Sequence, residues 1–347
     1  MKKILLSIVA LCCTVVAGAQ SSTSEIQSAI LQNGETTSIF YGANALKDAY
    51  TAAENGSIIT LTSGTFTNPG EIKKSVSIYG AGFEDNASEG FKRTTINGDL
   101  SFLAETDGGN LQSPRLEGVY TGTIKVKEVT NMIISKCQFS WLDVVGTGVE
   151  NMLVRQSLFG AVNGYNYVIN GMAVKNCFLT GRNQKLTAES QIIQVEFDHC
   201  LLSFDSSSGT YNHSVALYTN SILNNSYNNT CVENGSKVEK CILYKGSLPA
   251  DVTSIDNWLG VNLNATLFTD ATNVSYKPEW TYTLKDPKYK GTDGTEVGIN
   301  GGKYPWNKQP ELPYVKNMSA TVDNTNLNVS YEAGVKTDTP ATTSPTD

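Results

Sequence analysis

Between Asn131 and Lys245 the alternation of apolar and polar positions repeats itself. The segments NMIISKCQFS, NMLVRQSLFG, GMAVKNCFLT, QVEFDHCLLS, ALYTNSILN and KVEKCILYKG bring one small residue into register: Cys137, Ser157, Cys177, Cys200, Ser221 and Cys241. Successive anchors are 20, 20, 23, 21 and 20 residues apart. Three places before each anchor stands Ile134, Val154, Val174, Phe197, Tyr218 or Val238, and two places after it Phe139, Phe159, Leu179, Leu202, Leu223 or Leu243. The residue just before it is polar: Lys136, Gln156, Asn176, His199, Asn220 and Lys240. A period near 20 marks a supersecondary unit whose apolar side is buried only by its neighbours. The two-residue alternation is that of strands, and its break at the polar residue predicts a corner. Between anchors no apolar spacing of the helical kind occurs, nor do leucines recur at fixed positions, so a strand–helix repeat of the leucine-rich kind fits poorly. What remains is a coil of short parallel strands, each turn bonded to the next at roughly 4.8 Å. Small anchors suit a tight inward corner, where Asn176 and Asn220 are candidates for an amide ladder interrupted by Lys, Gln and His.

The flanking pattern is less regular. Residues 20–38 are polar and unpatterned, and are read as a mobile leader. Leu46, Ala49, Tyr50 and Ala53 share one face of a short helix closed by Asn55-Gly56. Ser57 to Leu61 reads as a strand, Gly64 as a turn and Ile72 to Tyr79 as a second strand. Leu116 and Gly118 are expected to begin the regular array, and Gly108-Gly109-Asn110 a protruding loop. Residues 246–290, with Trp258, Phe268, Tyr276 and Trp280, read as final irregular turns and a closing flap. The segment from 291 to 333 reads as a loop packing on the last turn followed by weak strands, and 334–347 as a disordered tail.

The order helix, NGSIITLTSGTF, IKKSVSIYGAG, TTING resembles the opening of right-handed parallel β-helix proteins of the pectin-lyase-like superfamily. The later turns resemble that family's I-x-N-C-x-F consensus, and the likeness covers roughly residues 40–245. GTDGTEVGINGGKYPWNKQPELPYVKN is similar to a segment near the C-terminal end of secreted β-helix proteins from Bacteroidota. The resemblance implies an all-β, right-handed parallel β-helix over residues 39–290. It also implies an N-terminal helical cap and a small irregular C-terminal extension. A cap is also needed physically, because an open solenoid end exposes strand edges and core.

Lys2 and Lys3, the apolar run Ile4 to Val16 and Ala17-Gly18-Ala19 read as a signal peptide over residues 1–19. A lipoprotein reading through Cys12 is disfavoured by Leu11. The run is short for a bilayer span, so an exported protein without a membrane span is expected, periplasmic or at the cell surface. The net charge of −7 with scattered Lys and Arg speaks against nucleic acid as a partner. A monomer is expected. Of the seven cysteines five follow the expected cleavage site. Export favours disulfides. Stacked anchors, however, hold their Cβ atoms about a strand spacing apart, beyond disulfide reach, so buried free thiols are expected. Cys231 lies outside the register.

The superfamily's lyases use calcium-holding carboxylates with an Arg base, and its hydrolases carry N-x-D, D-D, G-H-G and R-x-K, which are absent here in that arrangement. Asp293 and Glu296 hint at calcium, but their spacing and ligand number fall short of a site, and no cofactor is expected. His199, within Asp198-His199-Cys200, invites a Cys/His nucleophile. Neighbours in a strand point to opposite faces, so His199 is read as a corner residue. The residues five to ten after each anchor should lie on or beside the sheet where this superfamily binds sugars. For binding, Trp141, Asn163, Tyr165, Tyr167, Tyr211 and Tyr227 supply aromatic faces and amides suited to sugar rings and hydroxyls. For catalysis the candidates are Arg182 and Lys185 as base and charge stabiliser, with Asp143 or Asp205 as acid or metal ligand. Three readings stay open: an exported protein binding polysaccharide or a surface protein without catalysis, a polysaccharide lyase or hydrolase, and a purely structural surface protein.

Overall fold

The computed structural model describes residues 27–85, 92–104, 109–165, 167–181, 186, 193, 195–203, 215–224, 232–244 and 246–310, and the backbone of 314–323 and 326–334. The chain forms two compact units, one of residues 27–310 and one containing the C-terminal strands. The first is an all-β solenoid of about eight turns with one short helix among its described residues. In the second, Tyr314–Asp323 and Asn326–Gly334 pair as an antiparallel hairpin.

Each regular turn of the solenoid runs through two sheets. Val149–Arg155 lies in the first, Gln156 turns the corner, and Leu158–Asn163 lies in the second. The next turn repeats this with Ile169–Lys175, Asn176 and Phe178–Leu179. The pairing follows the expected register residue for residue. Ile134, Val154, Val174, Phe197, Tyr218 and Val238 are consecutive partners in the first sheet. Phe139, Phe159, Leu179, Leu202, Leu223 and Leu243 are consecutive partners in the second. Phe139 stacks on Phe159 with ring centroids 4.7 Å apart, and Phe197 on Tyr218 at 5.3 Å. Both rows lie in the core enclosed by the coils.

The polar residue before each anchor is left-handed: Lys136, Gln156, Asn176, His199, Asn220 and Lys240 have φ between 49° and 52°. This single left-handed residue re-phases the side chains, so the strands on both sides point their apolar faces inward. The turn leaves the anchor's amide aimed at the next coil, which explains why the anchors are Ser and Cys. Cys137 N donates to Ser157 Oγ at 3.2 Å, Cys200 N to Ser221 Oγ at 3.0 Å and Ser221 N to Cys241 Sγ at 3.4 Å. Asn257 Oδ1 ends the ladder by accepting from Cys241 N at 2.8 Å. Cys137, Cys177, Cys200 and Cys241 are free, buried thiols, and Cys231 lies outside the described residues.

The N-terminal part departs from expectation in several places. Helix α1, Ala45–Ala52, buries Ala45, Leu46, Ala49 and Tyr50 as its apolar face requires. Part of the segment read as a leader is ordered, however. Ser28–Asn33 and Thr36–Tyr41 form an antiparallel hairpin, and Ser28–Asn33 also pairs with Ile58–Leu61 to cover the edge of the first sheet. Residues 72–79 do not form one strand. Glu71–Ile72 belongs to the second sheet and Ser77–Tyr79 to the first, because the chain changes sheets between them. The array accordingly starts before Leu116, which pairs back to Ile78. Of the loop expected at Gly108-Gly109-Asn110, Gly108 lies outside the described residues, and Asn110 is tied to the coil, its amide donating to Thr130 Oγ1 at 2.9 Å and Gly148 O at 3.1 Å.

A second layer covers part of the outside. The residue just after each anchor is apolar in five coils, and Leu158, Phe178, Leu201, Ile222 and Ile242 stack on one another facing outward. They pack against Leu267, Phe268, Tyr282, Leu284, Val297 and Ile299 in a second core. Phe178 meets the edges of Tyr276 and Tyr282, each at 5.3 Å. Of residues 246–290, Thr253–Ile255 and Trp258 form the expected final turn on Lys237–Glu239 and Ile242, with Leu248 and Val252 packed on the inner core, whereas the rest lies along the side of the solenoid.

Candidate functional site

Two groups of polar side chains stand out, one on the corner ridge and one on the open part of the second sheet. The corner group is built by residues 291–310, which return along the left-handed corners as a strap. Thr292 N donates to Asn220 Oδ1 at 2.8 Å, and Gly298 N to Asn220 O at 2.8 Å. Asn176 Nδ2 donates to Ile299 O at 2.9 Å and Gly301 O at 2.7 Å, and Gln156 Nε2 to Pro305 O at 2.7 Å. The Arg155 guanidinium lies over the Tyr304 ring at 4.8 Å, and Pro310 sits against Gly118. The strap therefore spans several coils instead of packing on the last one. The corner amides bond to the strap rather than to each other, so the expected Asn176–Asn220 ladder does not form.

Within the ridge, His199 Nδ1 faces Asp198 Oδ1 at 3.0 Å and Nε2 faces Thr295 Oγ1 at 3.1 Å. An acid, an imidazole and a hydroxyl in series have the connectivity of a nucleophilic triad. The bonding around Thr295 argues against that use. Its one proton goes to Asp293 Oδ1 at 2.8 Å, and its oxygen also accepts from Gly302 N at 2.7 Å. That proton is thus committed to a carboxylate rather than to Nε2, and His199 is 1% exposed. The group is a tie between coil and strap. Burial alone would raise the Asp198 carboxyl. Bonds from His199 and Asn220 and the nearby Lys175 outweigh it and hold the group far below the carboxylate range. Asp293 accepts from Thr295, and Glu296 from Leu284 N at 3.2 Å. Among the described residues no group of three His, Cys, Asp or Glu is placed to hold a metal ion.

The second group lies on the outer face of the second sheet. In Ile124–Lys127 and Gln138–Val144 the residues Ile124, Val126, Leu142 and Val144 are buried, so alternation sends Lys125, Trp141 and Asp143 outward. Parallel pairing then sets Ser101, Lys125, Asp143 and Asn163 side by side in one row, with Trp141 beside Ala161. Lys125 Nζ pairs with Asp99 Oδ2 at 2.9 Å. Asp99 also accepts from Thr123 N at 2.9 Å. The bond with Lys125 and this amide lower the Asp99 carboxyl, and the pairing raises Lys125. Burial raises the Asp143 carboxyl, opposed by the Tyr165 hydroxyl, which donates to Asp143 Oδ2 at 3.4 Å, and by Lys125. Tyr165 is held there in the left-handed region at φ 47°, rare for a bulky residue, and its amide donates to Asn163 Oδ1 at 3.3 Å. Tyr165 is 44% exposed, and Tyr167 37%.

Of the expected site residues, Trp141, Asp143, Asn163, Tyr165 and Tyr167 thus lie on one strand row and the loop that follows it. Arg182, Lys185, Asp205, Tyr211 and Tyr227 lie outside the described residues. Asp99 and Lys125 were missed by sequence reasoning. Their signal is the alternation IKVK, which places Lys125 outward and 18 residues before Asp143, close to one coil period. The row offers a charge pair, a partly buried carboxyl and aromatic faces, a set able to bind hydroxyls and ring faces. A scan against protein-family models, a search of curated proteins and a search of solved structures each find no match for this chain.

Proposed function

We propose that this is an exported β-helix protein that binds glycan on the outer row of its second sheet, without catalysis. The observation that carries the reading is the co-location of Trp141, Asp143, Asn163 and Tyr165 on the part of the sheet beside the self-covered one. Aromatic faces next to fixed amide and carboxyl acceptors are what sugar recognition uses. The leader Met1–Ala19 supports export, and among the described residues no helix is long and apolar enough to cross a membrane. Glycan-array binding followed by titration of the hits tests the reading. Trp141→Ala and Tyr165→Ala should each weaken binding about 2- to 10-fold, the equivalent of a lost aromatic face worth about 0.5–1.5 kcal/mol. Silence across neutral and uronic sugars would leave the purely structural role standing.

One observation favours a second reading, a lyase or hydrolase. Asp143 is a partly buried carboxyl whose protonation is eased by burial, as a general acid requires. Turnover of a polysaccharide abolished in Asp143→Asn would establish that reading. Loss of unsaturated product in Arg182→Ala would assign the base.

A further inference from the structure

Resting on the glycan-binding reading, we propose that the row on the second sheet selects neutral, hydroxyl-rich glycans and rejects uronates. The argument is one of charge placed in register. A uronate needs a cation free to meet its carboxylate, and Lys125 is the ammonium in this row. Its Nζ lies 2.9 Å from Asp99 Oδ2, and the neighbouring strand presents Asp143 on the other side. Asp99 and Asp143 together outweigh Lys125, so the row carries a net negative charge. An arriving carboxylate meets like charge, and pairing it with Lys125 would require breaking the Asp99 contact.

A sugar hydroxyl meets the opposite situation. Among the described residues, Asp143 receives one long hydrogen bond, from Tyr165 at 3.4 Å, so its carboxyl retains acceptor capacity for donors from a ligand. A hydroxyl donating to it makes a charge-assisted bond, stronger than a neutral one. Burial of the group points the same way, since a half-desolvated carboxylate gains more from an added donor than a hydrated one. Trp141 stands two residues before Asp143 on the same strand face and the exposed Tyr165 bonds to it, so aromatic rings able to stack on a neutral pyranose lie beside this acceptor. The chain's net charge of −7 adds long-range repulsion of a polyanion.

The test is intrinsic-fluorescence or calorimetric titration of the full chain. The probes are neutral oligosaccharides (gluco-, xylo-, manno- and galacto-series) and, in parallel, oligogalacturonates of matched length. At low salt at least one neutral series should bind at least tenfold more tightly than any uronate. Asp143→Ala should weaken neutral binding about tenfold. Asp99→Asn/Asp143→Asn should improve uronate affinity by a similar factor. If the variants fold poorly, salt discriminates on the wild type. Raising ionic strength should strengthen any residual uronate binding by screening repulsion and leave neutral binding unchanged. Uronates binding as tightly as neutral sugars, or neutral binding indifferent to Asp143→Ala, would overturn the selectivity while leaving glycan binding intact. Failure of both sugar classes to bind would overturn the glycan reading itself.

Discussion

Replacing Asn176 by alanine probes the strap at its best-defined point. The Asn176 side chain is 1% exposed, and its amide holds two carbonyls, Ile299 O at 2.9 Å and Gly301 O at 2.7 Å. Truncation leaves the buried Gly301 O without its donor, at about 1–3 kcal/mol, and takes from Ile299 O one of two donors, since Trp306 N still donates to it at 2.8 Å, at about 0.5–1.5 kcal/mol. Alanine must also take φ 52°, a conformation that costs an ordinary L-residue about 1 kcal/mol and asparagine less. The total is about 2.5–5.5 kcal/mol of local stability. Asn176→Gly relieves the backbone and should lose about 1.5–4.5 kcal/mol, which separates the two contributions. The assay is native-state hydrogen exchange at Gly298, whose amide donates to Asn220 O only while the strap is seated. A loss of 3 kcal/mol raises the open fraction on the order of 100-fold, and exchange should accelerate accordingly. An acceleration under threefold in Asn176→Ala would refute the view that side-chain amides hold the strap to the corners.

Three further outcomes follow from the same geometry. The Asp198 carboxyl is held below its unfolded value, so its contribution to stability is present above about pH 4 and lost as pH falls. Urea midpoints measured from pH 7 downward should therefore drop in acid for the wild type, and Asp198→Asn should show a shallower acid limb from a lower plateau. Burial pushes the Cys137 and Cys241 thiols up to about 12, so neither should react with a thiol reagent at pH 8 until the protein unfolds. Mass-mapped labelling of either in the native state would contradict that. Phe178→Ala empties a buried site between the second sheet and Tyr276 and Tyr282, and should cost about 3–5 kcal/mol in denaturant unfolding. A loss below 1 kcal/mol would mean the outer layer is not packed on the coil.

The solenoid was legible because its evidence is local and repeated. Each coil restates the rule that a left-handed polar residue separates two inward-facing apolar ones, and stacking turns equal spacing into direct contact. One regularity in the same segments went unread. Leu158-Phe159, Phe178-Leu179, Leu201-Leu202, Ile222-Leu223 and Ile242-Leu243 are adjacent apolar pairs, and neighbours in a strand cannot both face inward. Such pairs announce a strand buried on both faces, and hence a covering layer. At the candidate site, aromatic and polar residues after the anchors pointed to Trp141, Asp143 and Tyr165. The Lys125–Asp99 pair was passed over because it lies before the first anchor, outside the repeat as read.

The sequence by itself determined the strand register, the corner positions, the enclosed core rows and the helical cap. These follow from side-chain alternation and a near-constant period, and they hold for any turn considered alone. Only the tertiary structure decided that residues 258–306 pack along the outer stripe, that 291–310 run back over the corners, and that Asp99 neutralises Lys125 beside Asp143. Those contacts join segments with no common period: the strap through backbone carbonyls and amides that every residue carries, the outer layer through apolar side chains, and Asp99 with Lys125 as a side-chain ion pair. What selects them is the shape and hydrogen-bonding need of a surface that exists once the coils have stacked.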